Sequence, residues 1–490
     1  MRERHTRSTA AAAPTPGDEP VPARPAPTAY ERHAPDPRLV EQALAPSRQA
    51  VFWLEDSHDV PAATPLTAST RADLVVVGGG YLGLWTAVLA KRRDPGRHVV
   101  LLEAQRIGWA ASGRNGGFCE ASITHGEANG RARWPDEYDV LDRLGRQNLD
   151  AFEADVASWE LDCEWERTGV VHAAVEEHEL DWLGPDRLDA TGVRALVDSP
   201  LFLGGRKVAD EAAMVHPARL AHELARVARE LGVEVHEGSA VEGLSRDASG
   251  AVRVETARAT VLADGVVLAT NVFPSLLRRA RPMTVPVYDY VLMSEPLTPE
   301  QRASIGWTGR EGLGDLANQF HYSRLTADDR ILYGGYDAVY HFGGRLKAHY
   351  EDRPESFTRL ASHFFATFPQ LEGLSFTHRW AGAIDTCTRF AAFYGLAHRD
   401  RVAYAAGFTG LGVGATRFAA EVLLDLLAHE RTERTELEMV RRRPLPFPPE
   451  PAAAIGINLT RRSLDRADHR QGHRDPWLRA LDAVGLGFDS

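Results

Sequence analysis

The sequence predicts an α/β protein: a Rossmann-like nucleotide-binding domain carrying an inserted mixed or antiparallel α+β domain. Three observations carry that expectation. The β-branched run Asp73–Val77 leads directly into Gly78-Gly79-Gly80-Tyr81-Leu82-Gly83 and then into the helix-compatible stretch Leu84–Lys91. His98–Leu102 reads as a second strand and ends on Glu103, completing a β-α-β unit. Far along the chain, Val261–Ala269 and Arg401–Ala406 read as further inner strands, the latter entering Gly407–Gly412 and an apolar run to Leu427.

Length agrees with this division, because 490 residues exceed what one core usually holds. Residues 1–30 lack an apolar signal-like run and read as a disordered extension, and 31–64 as a segment packing ahead of the first strand. The nucleotide domain is expected to be discontinuous, over 65–120, 205–280 and 377–435. Residues 121–204 and 281–376 are expected to form the substrate domain. Within these, Asp142–Glu160 has helical periodicity, and Leu220, Leu224, Val227 and Leu231 would bury one face of a helix opening at His216. The proline-rich stretch ending at Glu450 separates a C-terminal extension, 436–490.

A net charge of −12 disfavours a nucleic-acid partner, and no apolar run is long enough for integral membrane association. Cys119, Cys163 and Cys387 make neither a disulfide framework nor a metal cluster, which fits a cytoplasmic protein. Oligomeric state is not readable from these features.

The glycine spacing has a physical meaning. Gly78 tightens the turn, Gly80 lets a diphosphate approach the backbone, and Gly83 allows helix and strand to pack closely at a helix N-terminus that favours negative charge. Glu103, 20 residues beyond Gly83, is placed to accept ribose hydroxyls. NAD would use the same opening geometry. The small-residue stretch Ile107–Gly117, with Ser112, Gly113, Arg114, Asn115 and Gly116, shifts the expectation to FAD by offering a wrap for its diphosphate or ribityl chain. Val241 is expected beside the adenine, and Thr270 at the end of the returning strand.

With Gly78–Gly83, Glu103 and Ile107–Gly117, then His216–Leu220, Trp380–Gly382 and Gly407–Gly412, the chain resembles the FAD-dependent amine and D-amino-acid oxidase superfamily, especially gamma-glutamylputrescine oxidoreductase-like members. The resemblance covers most of residues 50–430. It implies a substrate domain over one face of the flavin, with Gly382, Gly410 and Gly412 near the isoalloxazine and helix-terminal donors at its pyrimidine end. Some related oxidases attach FAD through cysteine, but Cys387 falls beyond the matching position, so noncovalent FAD is expected.

The resemblance also implies oxidation of a small primary or secondary amine or an amino acid to an imine, followed by hydrolysis, with molecular oxygen or another electron acceptor. Tyr288, Tyr290, Tyr322, Arg324 and Trp380 are the residues to test at the substrate face. Tyrosine hydroxyls orient an amine or acid, Arg324 offers a donor fork for a carboxylate, and Trp380 an apolar wall. Core packing for the aromatics and an ion pair for Arg324 are the competing readings. His125 and His341 show no orienting partner in sequence, and Asp315, Glu351 and Asp352 suggest no metal centre. A nonenzymatic flavin scaffold and an NAD-dependent dehydrogenase are the remaining alternatives.

Overall fold

Alternation along the first strand organises the nucleotide half. In Thr70–Val77, Leu74 and Val76 enter one apolar core while Val75 and Val77 enter another on the opposite sheet face. Val99–Leu102 divides in the same way. A strand buried on both faces needs this unbroken apolar sequence, as expected of a parallel sheet covered by helices. In the computed structural model, which describes residues 25–57 and 60–487, this sheet runs in the order Val241–Arg246, Val252–Thr256, Thr260–Leu268, Thr70–Val77, Val99–Leu102 and Glu234–His236. Val402–Ala406 joins the C-terminal half of Thr260–Leu268, with Phe393–Ala397 beyond it.

Helices Tyr81–Arg93, Pro217–Glu230 and Gly412–Leu427 cover one face. Pro217 opens its helix with φ already suited to it, and His216 Nδ1 accepts from the Arg219 amide at 3.2 Å. Leu220, Leu224 and Val227 are buried beneath it and Leu231 packs at the margin; burying each such side chain contributes roughly 1.5–3 kcal/mol.

The substrate half is a nine-stranded mixed sheet. Its long central pair, Thr284–Ser294 and Phe376–Cys387, runs antiparallel with Asp289 opposite Gly382 and Val291 opposite Trp380. Strands Ile331–Gly335, His321–Leu325, Gly312–Asp315, Val170–Ala174 and Gly204–Val208 extend it in that order. Helix Pro354–Thr367 buries Phe357, Leu360, Phe364 and Phe365 in this domain's own core. The fold class is that of the sequence: an α/β nucleotide domain with a mixed-sheet insertion.

Two boundaries differ from expectation. Residues 1–24 lie outside the described residues, but the extension expected to reach residue 30 is ordered before that point. Thr28 and Glu31 form a reciprocal capping box around helix Ala29–Arg32, and Tyr30 is buried with its hydroxyl donating to the Asp315 carboxylate. The helix in the 121–204 stretch, Tyr138–Ser158, begins one turn earlier than expected, and its Leu141, Leu149 and Phe152 lie in the nucleotide-domain core. The C-terminal extension folds into helices Ala452–Asp468 and Pro476–Ala483, whose residues line the main cavity. No helix among the described residues is long and apolar enough to cross a membrane.

Candidate functional site

A cavity of about 1630 Å³ runs between the two sheets. Typical small-molecule pockets measure roughly 300–1,000 Å³, so this one has room for a large cofactor together with a small substrate. Two helix N-termini reach its wall. Neither Gly80, which precedes Tyr81–Arg93, nor Leu411, which precedes Gly412–Leu427, supplies a side-chain cap. Ser112 takes the first amide of the first helix; the amides that follow at such a helix start make a ready anion site.

The glycine turn closes only without side chains. A Cβ on Gly78, whose φ is +116°, would lie 2.4 Å from the Ala269 carbonyl oxygen, and one on Gly83 would lie 1.9 Å from that of Gly78. Gly80 borders the cavity, with the Ser112 Oγ beside it accepting from the Tyr81 amide at 2.9 Å. At the end of the second strand, the Glu103 carboxylate accepts from the amides of Gly79 (2.6 Å) and Gln105 (2.7 Å) and from Trp109 Nε1 (3.1 Å). Burial nevertheless holds its pKa above the ordinary carboxylate range. This donor-rich, side-chain-free cradle fits a dinucleotide.

The loop 107–117 is braced from within. Arg114 donates to the Trp109 carbonyl (3.0 Å) and pairs with Glu351 (2.6 Å), while Asn115 bonds the carbonyls of Ala111 and Ser112 and accepts from the Gly117 amide. Gly78, Gly80, Glu103, Ser112, Arg114, Asn115, Gly116, Val241, Thr270, Gly382, Gly410 and Gly412 all border the cavity. Gly83 and Gly113 stand behind it. A Cβ on Gly113 would lie 2.3 Å from the Gly108 carbonyl oxygen, so its part is to let the loop close.

On the sheet side the expected residues separate. Tyr322 borders the cavity, its hydroxyl donating to Asp289 Oδ2 at 2.5 Å and its ring meeting Phe118 edge-on at 5.8 Å. Tyr288 also borders the cavity, but its ring packs against His341 and Tyr350 in the substrate-domain core. Successive strand residues point to opposite faces, so Tyr288 and Asp289 cannot share one.

Arg324 and Trp380 require correction, because neither reaches the cavity. Arg324 is fully buried, donates to the carbonyls of Val215 (2.5 Å) and Gly117 (3.3 Å), and lies over the Trp53 ring; burial lowers its pKa to about 10. It is a buried brace rather than a carboxylate clamp. Trp380 lies in a cluster with Phe52, Trp53 and Leu332 and donates to the Arg114 carbonyl at 2.8 Å, so it supports the glycine loop from beneath.

His125 borders the cavity, with burial lowering its pKa, whereas His341 stacks on Tyr350 away from it. The Cys387 thiol faces the carbonyls of Ala391 and Gly407 off the cavity wall, and burial raises its pKa.

Two carboxylates went unrecognised in the sequence. Asp289 opens on the cavity, and Asp385 accepts from the Gly407 amide at 2.6 Å beside the second helix start. Burial pushes Asp289 up to about 6 and Asp385 to about 7. Asp385 follows Trp380–Gly382 within the same strand, and that proximity was the available signal.

Fold and cavity together define a dinucleotide-binding α/β protein with a sheet-walled chamber next to its cofactor cradle. The chain belongs to the FAD dependent oxidoreductase family, whose model matches residues 73–426. It is 30% identical over 382 residues to gamma-glutamylputrescine oxidoreductase of Escherichia coli, covering 74% of this chain and 85% of the relative. A probable oxidoreductase of Haemophilus influenzae is 25% identical, covering 74% and 84%. Among solved structures, glycine oxidase from Geobacillus kaustophilus superposes with a TM-score of 0.62 at 20% identity, covering 76% of this chain and 99% of that one. L-amino acid deaminase from Proteus vulgaris gives 0.58 at 20% identity, covering 77% and 94%.

Proposed function

We propose that the protein uses FAD, held noncovalently, to oxidise the carbon–nitrogen bond of a small primary or secondary amine or amino acid, with oxygen as electron acceptor. The observation that carries this reading is the cavity itself, which joins a glycine cradle and two helix starts whose own N-cap residues give no side-chain bond to a wall bearing Tyr322 and Asp289. Gly78, Gly80 and Ser112 would hold the diphosphate, Glu103 the ribose and Val241 the adenine side. Thr270 and the loop residues Arg114, Asn115 and Gly116 would follow the cofactor towards Gly382, Gly410 and Gly412. Bound FAD supplies the two-electron acceptor for hydrogen leaving the carbon next to nitrogen.

The chain's own residues then bind the amine, orient it and screen it from water. The imine product is hydrolysed to a carbonyl compound and an amine or ammonia. Membership of the family and the likeness to an oxidoreductase named for gamma-glutamylputrescine support an amine substrate. The test is an anaerobic titration of the FAD-loaded protein with an amine panel, followed by admission of air. Bleaching of the flavin absorbance and its return on aeration are expected. Stoichiometrically bound FAD that no amine in the panel reduces would overturn the reading.

A further inference from the structure

Asp289 lacks the arginine partners that three of the protein's buried aspartates have; Asp385 on the cavity wall lacks them too, but is held by the Gly407 and Phe408 amides at the second helix start. Asp155 is paired with Arg92 and Arg417, Asp425 with Arg93 and Arg434, and Asp337 with Arg353, Arg359 and Arg461. Such pairing offsets the removal of a carboxylate from water. Among the described residues no ion pair reaches Asp289; its donors are the Tyr322 hydroxyl at 2.5 Å and the amides of Tyr290 and Gly335, all neutral. Yet its side chain opens on the cavity rather than into a closed core.

The position is also built. Tyr322 is held between two glycines: a Cβ on Gly116 would lie 2.7 Å from the Tyr322 ring, and one on Gly334 would lie 2.6 Å from it. Gly116 belongs to the cofactor-side loop, and Asp289 lies directly opposite Gly382 in the strand pair. The carboxylate therefore stands where the cradle meets the substrate sheet. Most arginines on this wall are already engaged. Arg114, Arg131 and Arg146 have carboxylate partners and Arg206 is exposed, while Arg461 shares the single carboxylate of Asp337 with Arg353 and Arg359.

We propose that Asp289, oriented by Tyr322, is the anchor for the substrate's ammonium group, so that the enzyme selects an alkylamine by its cation and not an amino acid by its α-carboxylate. This rests on the amine-oxidising reading above and names its substrate class. A cation supplies the missing counter-charge, and the three neutral donors leave one of the carboxylate's roughly four acceptor positions for it. An α-carboxylate on the same carbon would bring a second negative charge beside Asp289.

The test is equilibrium binding to the FAD-loaded protein by calorimetry, using probes with no hydrogen on the carbon bearing nitrogen and hence no turnover. tert-Butylammonium is expected to bind at least about tenfold more tightly than its neutral isostere tert-butyl alcohol and than 2-aminoisobutyrate, in which a carboxylate replaces one methyl. Asp289→Asn should remove most of that preference, and Asp289→Glu should keep part of it. Equal binding of cation and alcohol, tighter binding of 2-aminoisobutyrate, or an unchanged preference in a folded, flavin-loaded Asp289→Asn variant would overturn the proposal. The wild-type comparison stands even if the variants do not fold. Flavin bleaching by amines alongside charge-indifferent binding would refute the anchor alone, whereas failure to bleach would refute the reaction.

Discussion

Replacing Gly83 with alanine tests whether the cofactor cradle depends on close contact between helix and strand. The new Cβ would sit 1.9 Å from the Gly78 carbonyl oxygen and 3.2 Å from Val76 Cγ1. A relaxed carbon–oxygen contact is about 3.3 Å, so the helix start must retreat by about 1.4 Å. Strain of this kind costs roughly 1–3 kcal/mol. If it falls on the FAD-bound state, Kd for FAD rises about 5- to 140-fold at about 1.4 kcal/mol per decade.

Gly373→Ala is the control. A Cβ there meets no protein atom within 4 Å, but φ is +94° and the residue lies off the cavity, so only a backbone penalty of about 1–2 kcal/mol applies. Titrating deflavinated protein with FAD, following the change in flavin fluorescence, measures both variants. The reasoning fails if Gly83→Ala keeps wild-type FAD affinity within about twofold and an unchanged Tm.

Four further outcomes follow from the same geometry. Arg324→Met should lower stability by about 2–5 kcal/mol by leaving the Gly117 and Val215 carbonyls without their donor; thermal melts check this, and a change confined to KM would contradict it. Asp385 has a folded pKa of about 7 against an ordinary value of 3.8. Its contribution to stability is therefore full below the ordinary value and is lost as pH rises through about 7. Urea melts should show wild type losing stability relative to Asp385→Asn between about pH 4 and about pH 7. Acid precipitation of the loaded protein should release its flavin to the supernatant, in wild type and Cys387→Ser alike, since the thiol faces protein carbonyls. Removing residues 451–490 should make bound flavin more accessible to an external quencher, because Gly456, Thr460, Arg461 and Trp477 line the cavity.

The nucleotide half was readable because its signals are local: strand, glycine spacing and helix occur within Thr70–Arg93, and Glu103 follows at a fixed distance. The substrate wall depends on register and on distant partners. Moving one residue from Tyr288 to Asp289 exchanges the core face for the cavity face, and the pairing that decides it lies across the sheet in Phe376–Cys387. Arg324 looked available as a charged side chain on a strand, but the carbonyls that hold it come from Gly117 and Val215. Ordering at Tyr30 depends on Asp315, and the helix Ala452–Asp468 has the same amphipathic pattern whether it covers a cavity or an outer surface. Asp289 was not legible in sequence because its neutral surroundings, the Tyr322 hydroxyl and backbone amides, are assembled only in three dimensions.

The strand Phe376–Cys387 begins in the insertion's apolar core at Phe376 and ends in that of the nucleotide sheet at Cys387, bonded to Thr284–Ser294 along the way. A continuous two-ply beam of this kind resists bending, since opening the halves like a clamshell would break its ladder of backbone bonds. The helices Ala452–Asp468 and Pro476–Ala483 line the cavity beside this beam. Sequence change in residues 452–483 can therefore reshape the cavity lining without touching the beam's ladder.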